Sequence, residues 1–269
     1  MLVHQSDCSV SNTYHAVQYQ SRRFGMHFHR GYEIIHAVKG SVELTVDGVA
    51  QKLQEGAFAL ILSNQIHAVR AEKASHMWIC GFSTDFLPDF HKKVQNQIGD
   101  TCVFFCDRQI LQYLQKEIFP YEDHLGDVLD RYKLKGSLYL LCAAYLDSVS
   151  LTKRDRSQLD LMNTIYDYIE MNYDRKLGLQ DVATELGYDY SYFSRLFRKI
   201  FLVPFPEFLN NYRCSAAVEL IRNSELSLTV IAKQSGFQSI RTFNSVFVRQ
   251  MGMTPSQYIK QLKNKEEHL

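Results

Sequence analysis

The chain has 269 residues, which is enough for two domains that each bury a core. Apolar residues make up 46% and charged residues 22%, as is typical of soluble globular proteins, and the formal net charge is only +1. No apolar run approaches the roughly 20 residues needed to cross a bilayer. The N-terminus also lacks the basic and apolar stretches of a signal peptide. We therefore expect a cytoplasmic protein with no membrane partner.

Residues from about 14 to 82 carry the patterns of short β-strands. Glu33–Val38 is largely apolar and leads into Lys39-Gly40. Ser41–Val46 alternates apolar and polar residues and is followed by Asp47-Gly48, a strong hairpin signal. Further strands are predicted at Gly56–Leu62 and His76–Phe82. Many short strands with glycine turns predict a β-sandwich or a small barrel.

The pattern then becomes helical. One helix is predicted over 107–119, where Pro120 ends it, and a longer one over 129–149. The longer helix carries one apolar stripe, formed by Leu134, Leu138, Leu141, Tyr145 and Val149. This stripe fits two interpretations equally well: packing on the protein's own β domain, or the seam of a homodimer. The polar segment 151–158 is interpreted as a linker, which gives a first domain over 1–150, the candidate for dimerisation, and a second domain over 159–269.

The last hundred residues contain one pattern twice. The first copy is Leu179-x-x-x-Ala183-x-x-x-Gly187, followed by Phe193-x-x-x-Phe197. The second is Leu228-x-x-x-Ala232-x-x-x-Gly236, followed by Phe243-x-x-x-Phe247, with one extra residue after its glycine. Each copy predicts a helix-turn-helix motif, at about 178–200 and 227–250. A helix of about 24 Å, predicted over 206–221, would join the two motifs.

The second helix of each motif turns its phenylalanines inward and leaves polar and basic groups outside. Arginine and asparagine can form bidentate hydrogen bonds with the edges of guanine and adenine, respectively. Basic groups one helical turn further along are suited to phosphate contacts. A solvated helical hairpin is the alternative, but two copies with the same outward chemistry favour double-stranded DNA as the partner. The surplus of three basic residues after Leu151 supports this weakly. The predicted DNA contacts are Tyr190, Ser191, Ser194, Arg195, Arg198, Lys199, Arg241, Asn244, Ser245 and Arg249.

Several residues of this half form a specific set, namely Gly187-Tyr188, Phe193-Ser-Arg195-Leu-Phe197-Arg-Lys199, Arg213, Ala217, Gly236-Phe237 and Gly252-Met-Thr-Pro255. From about Leu159 to Lys263 the chain resembles the DNA-binding domain of the AraC/XylS family of bacterial transcription regulators. The resemblance implies groove-facing positions at Ser191, Ser194, Arg195, Ile240, Arg241, Asn244 and Ser245. Val248 and Ile259 depart from the family pattern, which usually has basic residues there.

The N-terminal half contains His27-x-His29-x-x-x-Glu33 with Gly40, which matches the first cupin motif, and Gly56 and His67 match parts of the second. This half resembles the cupin-like sensor domain of the same family. Three imidazoles and one carboxylate suit Zn²⁺, Mn²⁺, Fe²⁺ or Ni²⁺. The family resemblance instead favours histidines that line or fill an effector pocket, so we expect no cofactor, with a divalent metal as the alternative. The effector-pocket candidates are His27, His29, Glu33, His67 and Trp78, and the first four are the candidate metal ligands.

The predicted fold is multidomain α+β: a cupin-like β-barrel or sandwich with flanking helices, then an all-α domain of two helix-turn-helix motifs joined by a linker helix. The predicted function is a sequence-specific transcription regulator, by resemblance an activator, that responds to a small-molecule effector; sugars are among the candidates. The implied partners are promoter DNA, the effector, RNA polymerase and a second copy of the chain. A metal-dependent cupin enzyme fused to a helical module, or a helical protein–protein module, would be the alternative functions.

Overall fold

The computed structural model describes residues 14–117 and 128–266. The chain divides into an N-terminal unit that ends at Leu159 and a C-terminal unit that starts at Asp160. Across the described residues, no helix has both the length and the apolar character to span a membrane. The predicted fold class is confirmed: an antiparallel β unit is followed by an all-helical unit.

The N-terminal unit contains eleven described strands and three helices, with a fourth helix beginning at its end. The strands are β1 (Tyr14–Gln20), β2 (Arg23–His27), β3 (Tyr32–Lys39), β4 (Val42–Val46), β5 (Val49–Leu53), β6 (Phe58–Ile61), β7 (His67–Ala71), β8 (His76–Phe82), β9 (Gln97–Gly99), β10 (Val103–Phe104) and β11 (Leu151–Lys153). The helices are α1 (Pro88–Val94), α2 (Arg108–Glu117) and α3 (Val128–Ser148).

Two antiparallel sheets form a β-sandwich. One has the strand order β1-β8-β3-β6-β10 and the other β2-β7-β4-β5. The predicted hairpin joins β4 to β5, and its turn residues Asp47 and Gly48 both have positive φ, at 48° and 84°. A turn with two positive φ angles matches the twist of the flanking strands, which is why Asp-Gly is favoured there.

The outer face of the five-stranded sheet carries the main core of this unit. Side chains that alternate along β3, β6 and β8 meet apolar residues of α1, α2 and α3. Four of the five residues in the α3 stripe, Leu134, Leu138, Leu141 and Tyr145, lie buried in this cluster, and Val149 packs against it. Each fully buried side chain of this kind contributes about 1.5–3 kcal/mol. The stripe therefore packs on the protein's own β domain, and the interpretation of this stripe as a dimer seam is wrong.

The segment 151–158 has regular structure, which the interpretation as a linker did not anticipate. β11 pairs with β9 in a two-stranded sheet, and α4 (Arg156–Glu170) begins before the segment ends. Polar composition suggested a flexible connection, but an edge strand and the first turn of a helix are also polar because they face solvent. The end of the predicted helix over 107–119 lies outside the described residues, since α2 is described to Glu117.

The C-terminal unit is helical throughout. After α4 come α5 (Leu179–Glu185), α6 (Tyr190–Phe201), α7 (Phe205–Asn223), α8 (Leu228–Gln234), α9 (Ile240–Met251) and α10 (Pro255–Glu266). The pairs α5–α6 and α8–α9 form the two predicted helix-turn-helix motifs. The joining helix was predicted over 206–221. The observed helix α7 begins one residue earlier, at Phe205, and ends two residues later, at Asn223.

Each motif is fixed by its caps and its glycine turn. The Asp189 carboxylate accepts from the Tyr192 amide at the start of α6, and Ser239 Oγ accepts from the Thr242 amide at the start of α9. Such caps contribute about 1 kcal/mol each. Gly187 and Gly236 have φ of 73° and 81°, as their turns require. Gly236 is further constrained, because a Cβ there would overlap the Tyr173 carbonyl oxygen and lie 2.8 Å from Nε of Arg213.

The helix α7 belongs to the cores of both motifs. Near its start Phe208 packs on Phe197 and Phe201 of α6, with ring centroids 5.6 and 4.6 Å apart. Toward its end Cys214, Ala217, Val218 and Ile221 join one buried cluster with Ile231, Ala232, Phe243 and Phe247 of the second motif. The joining helix is thus packed along its length rather than suspended between two modules.

Candidate functional site

The outer faces of α6 and α9 form the first candidate site. Phe193 and Phe197 of α6 are buried, as are Phe243 and Phe247 of α9. This fixes which side of each helix faces solvent. The predicted contacts that lie exposed are Tyr190, Ser191, Arg195, Arg198 and Lys199 on α6, and Arg241, Asn244, Ser245 and Arg249 on α9. Ser194 is half-buried, and Ile240 is exposed on the same face as Arg241.

The structure adds Tyr192 to this surface. Its side chain is 50% exposed and its ring stacks on Tyr188 at a centroid distance of 5.9 Å. Helical spacing places Tyr192 next to the inward phenylalanines, so no sequence signal selected it as a contact. An aromatic held at the start of an exposed helix can contact a sugar–phosphate backbone through its hydroxyl group.

A shallow groove of about 380 Å³ lies at the base of α6. Tyr190, Ser194 and Arg198 line one side, and residues at the starts of α5 and α7 line the other. Three of the predicted contacts therefore share one concave surface.

The basic groups of these faces are not neutralised locally. Within the described part of the chain, Arg195, Arg198 and Arg241 form no ion pair with an acidic side chain. Exposed and unpaired cations on one helix face retain their charge for a polyanion.

The two faces differ in where the arginine sits. Phe193 and Phe243 are equivalent, so Ser191 corresponds to Arg241, and Arg195 corresponds to Ser245. At the positions predicted to face the groove, each helix offers one arginine, and the two arginines lie one helical turn apart in the equivalent helices. If both helices enter the major groove, the two arginines would face different base positions within their half-sites.

A buried cluster of histidines in the N-terminal unit forms the second candidate site. Nε2 of His67 lies 3.3 Å from Oε1 of Glu33, and Nε2 of His29 lies 3.8 Å from Oε2 of the same carboxylate. The ring of His27 has its centroid 4.1 Å from that of His67. The structure therefore brings together four residues that are up to 40 positions apart in the sequence, and all are buried.

A β-bulge positions His27 in this cluster. On β2 and β7, Phe24 pairs with Val69 and His27 pairs with His67, so three steps along one strand match two along the other. The extra residue rotates the end of β2 and sets the two imidazoles side by side, as bulges commonly re-aim a side chain. The Gly25 carbonyl inside the bulge accepts a hydrogen bond from His27 Nδ1, at 2.7 Å.

All three imidazoles use the same nitrogen for a backbone carbonyl. Nδ1 of His27, His29 and His67 donates to the carbonyl oxygens of Gly25, Gly31 and Gln65, at 2.7, 3.0 and 2.9 Å. A carbonyl can only accept, so each Nδ1 carries the proton and each neutral ring presents a bare Nε2. Burial lowers the pKa of His27 and His29 to about 3 and that of His67 to about 4. The rings are therefore neutral at physiological pH.

The fifth effector-pocket candidate does not belong to this cluster. Trp78 has no exposed surface and lies in the core between the five-stranded sheet and the helices. Along β3, Glu33 points into the sandwich, whereas Ile34 shares the outer face with Trp78. The assignment of Trp78 to the same pocket as the histidines is wrong, because side chains of adjacent strand positions face opposite sides of a sheet.

Known proteins share both halves of this architecture. Residues 9–119 match the family described as AraC-like ligand binding domain, and residues 177–261 match the family described as Helix-turn-helix domain. The chain belongs to the AraC family of transcription regulators. The predicted family and its two-part design, a ligand-binding domain followed by a DNA-binding domain, are confirmed.

Two curated relatives of this AraC-family chain are named as regulators of operons. The Msm operon regulatory protein of Streptococcus mutans is 24% identical over 253 residues, which cover 90% of this chain and 88% of the relative. The Melibiose operon regulatory protein of Escherichia coli is 26% identical over 141 residues, covering 51% of this chain and 45% of the relative.

Solved structures of ToxT from Vibrio cholerae have the same fold. One aligns with a TM-score of 0.61 at 18% identity, covering 91% of this chain and 96% of that chain. Another, bound to an unsaturated fatty acid, aligns with a TM-score of 0.60 at 20% identity, covering 91% and 94%. At these identities the likeness establishes the arrangement of elements in an AraC-family protein and nothing about its ligand.

Proposed function

We propose that this AraC-family regulator binds promoter DNA through the outer faces of α6 and α9 and activates transcription when a small molecule binds its N-terminal unit. The observation that carries the proposal is the pair of helix-turn-helix motifs with exposed arginines on equivalent helices, which form no ion pair with any acidic side chain that the structure describes. Two motifs in one chain can engage two neighbouring major-groove segments without a partner subunit.

We propose a sugar as the effector class. The support is that a relative matching half of this chain regulates an operon named for melibiose. A thermal-shift screen of mono- and disaccharides, melibiose included, tests this on the full chain, because a ligand that binds only the folded state raises its melting temperature. A screen in which sugars leave the melting temperature unchanged while another chemical class raises it would reassign the effector.

Further proposed partners are RNA polymerase and a second copy of the chain, and the proposed location is the cytoplasm. Since the buried stripe of α3 is taken up by the core, a homodimer would have to use another surface. Tyr132 and Leu140, 72% and 44% exposed on the free side of α3, are available for it. Light scattering of wild-type protein and of a Tyr132→Glu, Leu140→Glu variant decides whether a dimer forms through this face.

DNA binding itself is tested by selecting sites from random duplexes and titrating salt. Neutralised phosphates release counterions, so the affinity should fall steeply as salt rises. Retention of every duplex with equal affinity at all salt concentrations would contradict the proposal. We further propose that the chain has no catalytic activity, as expected for a relative of operon regulators. Turnover that depends on the buried histidines would instead support the cupin enzyme.

A further inference from the structure

The histidine cluster contains buried hydrogen-bond acceptors for which its own side chains supply no donor. Three bare Nε2 atoms and the carboxylate of Glu33 point toward one another inside the sandwich. All four groups are acceptors, because each imidazole proton is already donated to a backbone carbonyl. Among the residues that the structure describes, no group donates a hydrogen bond to Nε2 of His27, His29 or His67.

Buried acceptors without a donor are costly. Leaving one buried polar group unsatisfied destabilises a protein by about 1–3 kcal/mol, and this cluster holds three such nitrogens beside a carboxylate. Native proteins satisfy such groups with a bound water or ion, or keep them for a chemical role. Several ring nitrogens and a carboxylate that face one another are the donor set of a transition-metal ion rather than of a single water.

The geometry of the cluster is that of a metal site. One ligand atom each from His27, Glu33 and His67 lie within 4.8 Å of one another. His29 lies beside this group, with its Nε2 3.8 Å from the second oxygen of the same carboxylate, where it could serve as a fourth ligand. The Nδ1–carbonyl bonds also have a defined role in such a site, because they fix the tautomer and hold each ring in the direction of the ion.

We propose that His27, His29, Glu33 and His67 bind one divalent first-row transition-metal ion inside the N-terminal sandwich. Three imidazoles and one carboxylate suit Zn²⁺, Ni²⁺, Fe²⁺ or Mn²⁺, whereas Mg²⁺ and Ca²⁺ prefer all-oxygen sites. The ion would join the end of β2 and the start of β7, on one sheet, to β3 on the other. The sandwich would then be cross-linked at one end by coordination bonds.

This inference goes beyond the proposed transcription-regulatory function, and it has its own test. Full-length protein without a histidine tag is stripped with a chelator and dialysed against Zn²⁺, Ni²⁺, Mn²⁺ or Mg²⁺ in separate samples. Metal content is then measured by mass spectrometry. We expect about one Zn²⁺ or Ni²⁺ ion per chain and no Mg²⁺. Less than a tenth of an equivalent of every transition metal would overturn the proposal.

Variants locate the ion. His67→Ala and Glu33→Gln should each weaken binding by about 100-fold or more, since even the outer partners of metal ligands contribute 10- to 100-fold. The matched control is His76→Ala, which removes an exposed imidazole from the same unit and should leave affinity unchanged. Equal loss in the control, or undiminished affinity in both cluster variants, would place the metal elsewhere and overturn the proposal.

A second measurement guards against misfolded variants. Glu33→Gln retains the shape of the side chain and removes its charge, so the fluorescence of Trp78 should report a folded sandwich. The melting temperature of wild type and of His76→Ala should rise on adding Zn²⁺, and that of Glu33→Gln should not. Gel shifts with the metal-free protein separate the two proposals, because a failed metal site leaves DNA binding by α6 and α9 intact.

Discussion

Nη2 of Arg154 lies 3.7 Å from Oδ2 of Asp47, and the guanidinium also donates to the carbonyl oxygens of Ser63 and Asn64 at 3.1 and 3.2 Å. Asp47 in turn accepts from the side-chain amide of Gln65 at 3.0 Å. The backbone carbonyl of Gln65 accepts a hydrogen bond from Nδ1 of His67 at 2.9 Å. One ion pair and two hydrogen bonds, joined through Gln65, therefore connect the histidine cluster to Arg154, which lies two positions before the start of α4.

Replacing Arg154 should destabilise the N-terminal unit. The side chains of Arg154 and Asp47 are only 15% and 26% exposed, so Arg154→Ala leaves two carbonyls without this donor and removes the positive charge beside a partly buried carboxylate. We expect the free energy of unfolding to fall by about 1–3 kcal/mol. Urea unfolding followed by the fluorescence of Trp78, the single tryptophan of the chain, measures this unit directly.

The control for Arg154 is Arg70, whose ion pair with Glu43 lies on the surface. The two side chains are 65% and 50% exposed at a distance of 3.5 Å. Exposed pairs contribute about 0–1 kcal/mol, so Arg70→Ala should scarcely change the unfolding curve. Equal effects of the two substitutions would show that the bonds of Arg154 to the turn before β7 do not stabilise the unit.

Two glycine substitutions separate backbone conformation from packing in the C-terminal unit. Both Gly187→Ala and Gly236→Ala place a side chain at positive φ, which costs about 1–2 kcal/mol. Only at position 236 would the new Cβ overlap the Tyr173 carbonyl; at position 187 no atom lies within 4 Å. Thermal melts followed by circular dichroism should show a clearly larger drop for Gly236→Ala. Matching drops would mean that the loop at Tyr173 moves aside freely.

The groove-facing arginines should contribute to both affinity and base preference. We expect Arg195→Ala and Arg241→Ala each to weaken binding to a selected site by about 1–3 kcal/mol and to relax the preference at separate base pairs. Lys199→Ala should weaken all sequences about equally, as expected for a phosphate contact. Gel shifts on the selected site and on single-base variants distinguish the two patterns.

The control for these arginines is Lys260→Ala, which removes one positive charge from an exposed position on α10. Its effect should be small and independent of sequence. If Arg195→Ala behaved like Lys260→Ala, the assignment of α6 to the major groove would be wrong.

His36 should make the N-terminal unit sensitive to acid. Its ring is buried against Phe58 at a centroid distance of 4.1 Å, and burial lowers its pKa from 6.5 to about 4. Between these values the unfolded chain binds a proton that the folded chain does not, so stability decreases as pH falls from about 6.5 to 4.

A variant isolates the contribution of His36 from that of the other buried imidazoles. His36→Gln should reduce the slope of unfolding free energy against pH by about 1.4 kcal/mol per pH unit in this range. Urea unfolding at several pH values, again followed by Trp78, measures the slope. Identical slopes in wild type and variant would show that His36 is protonated in the folded protein.

Much of the C-terminal unit was predictable because its signals are local and occur twice. The caps at Asp189 and Ser239 and the turns at Gly187 and Gly236 depend on residues within one helical turn. Inward phenylalanines then determine the outward face of each recognition helix, so the exposure of Arg195 and Arg241 follows from spacing alone. Whether these side chains contact DNA stays a prediction.

The N-terminal unit was less predictable because alternation along a strand does not say which face of the sheet points into the sandwich and which is covered by the helices. Trp78 and Glu33 both lie in predicted strands, but they occupy opposite sides of one sheet. The bulge in β2 also left no sequence signal, although it sets His27 beside His67. The α3 stripe shows a further limit, since spacing identifies an apolar face and not the surface that covers it.

The packing of α7 into both helix-turn-helix motifs restricts the DNA that the protein can accept. Since α6 packs on the start of α7 and α9 on its later turns, a shift of either recognition helix would have to disturb its packing on this common helix. The spacing between the two base-contacting segments of an operator should then be fixed, and inserting one or two base pairs between them should abolish binding by one motif. Natural target promoters would be found by searching for two unlike short sequences at a constant separation.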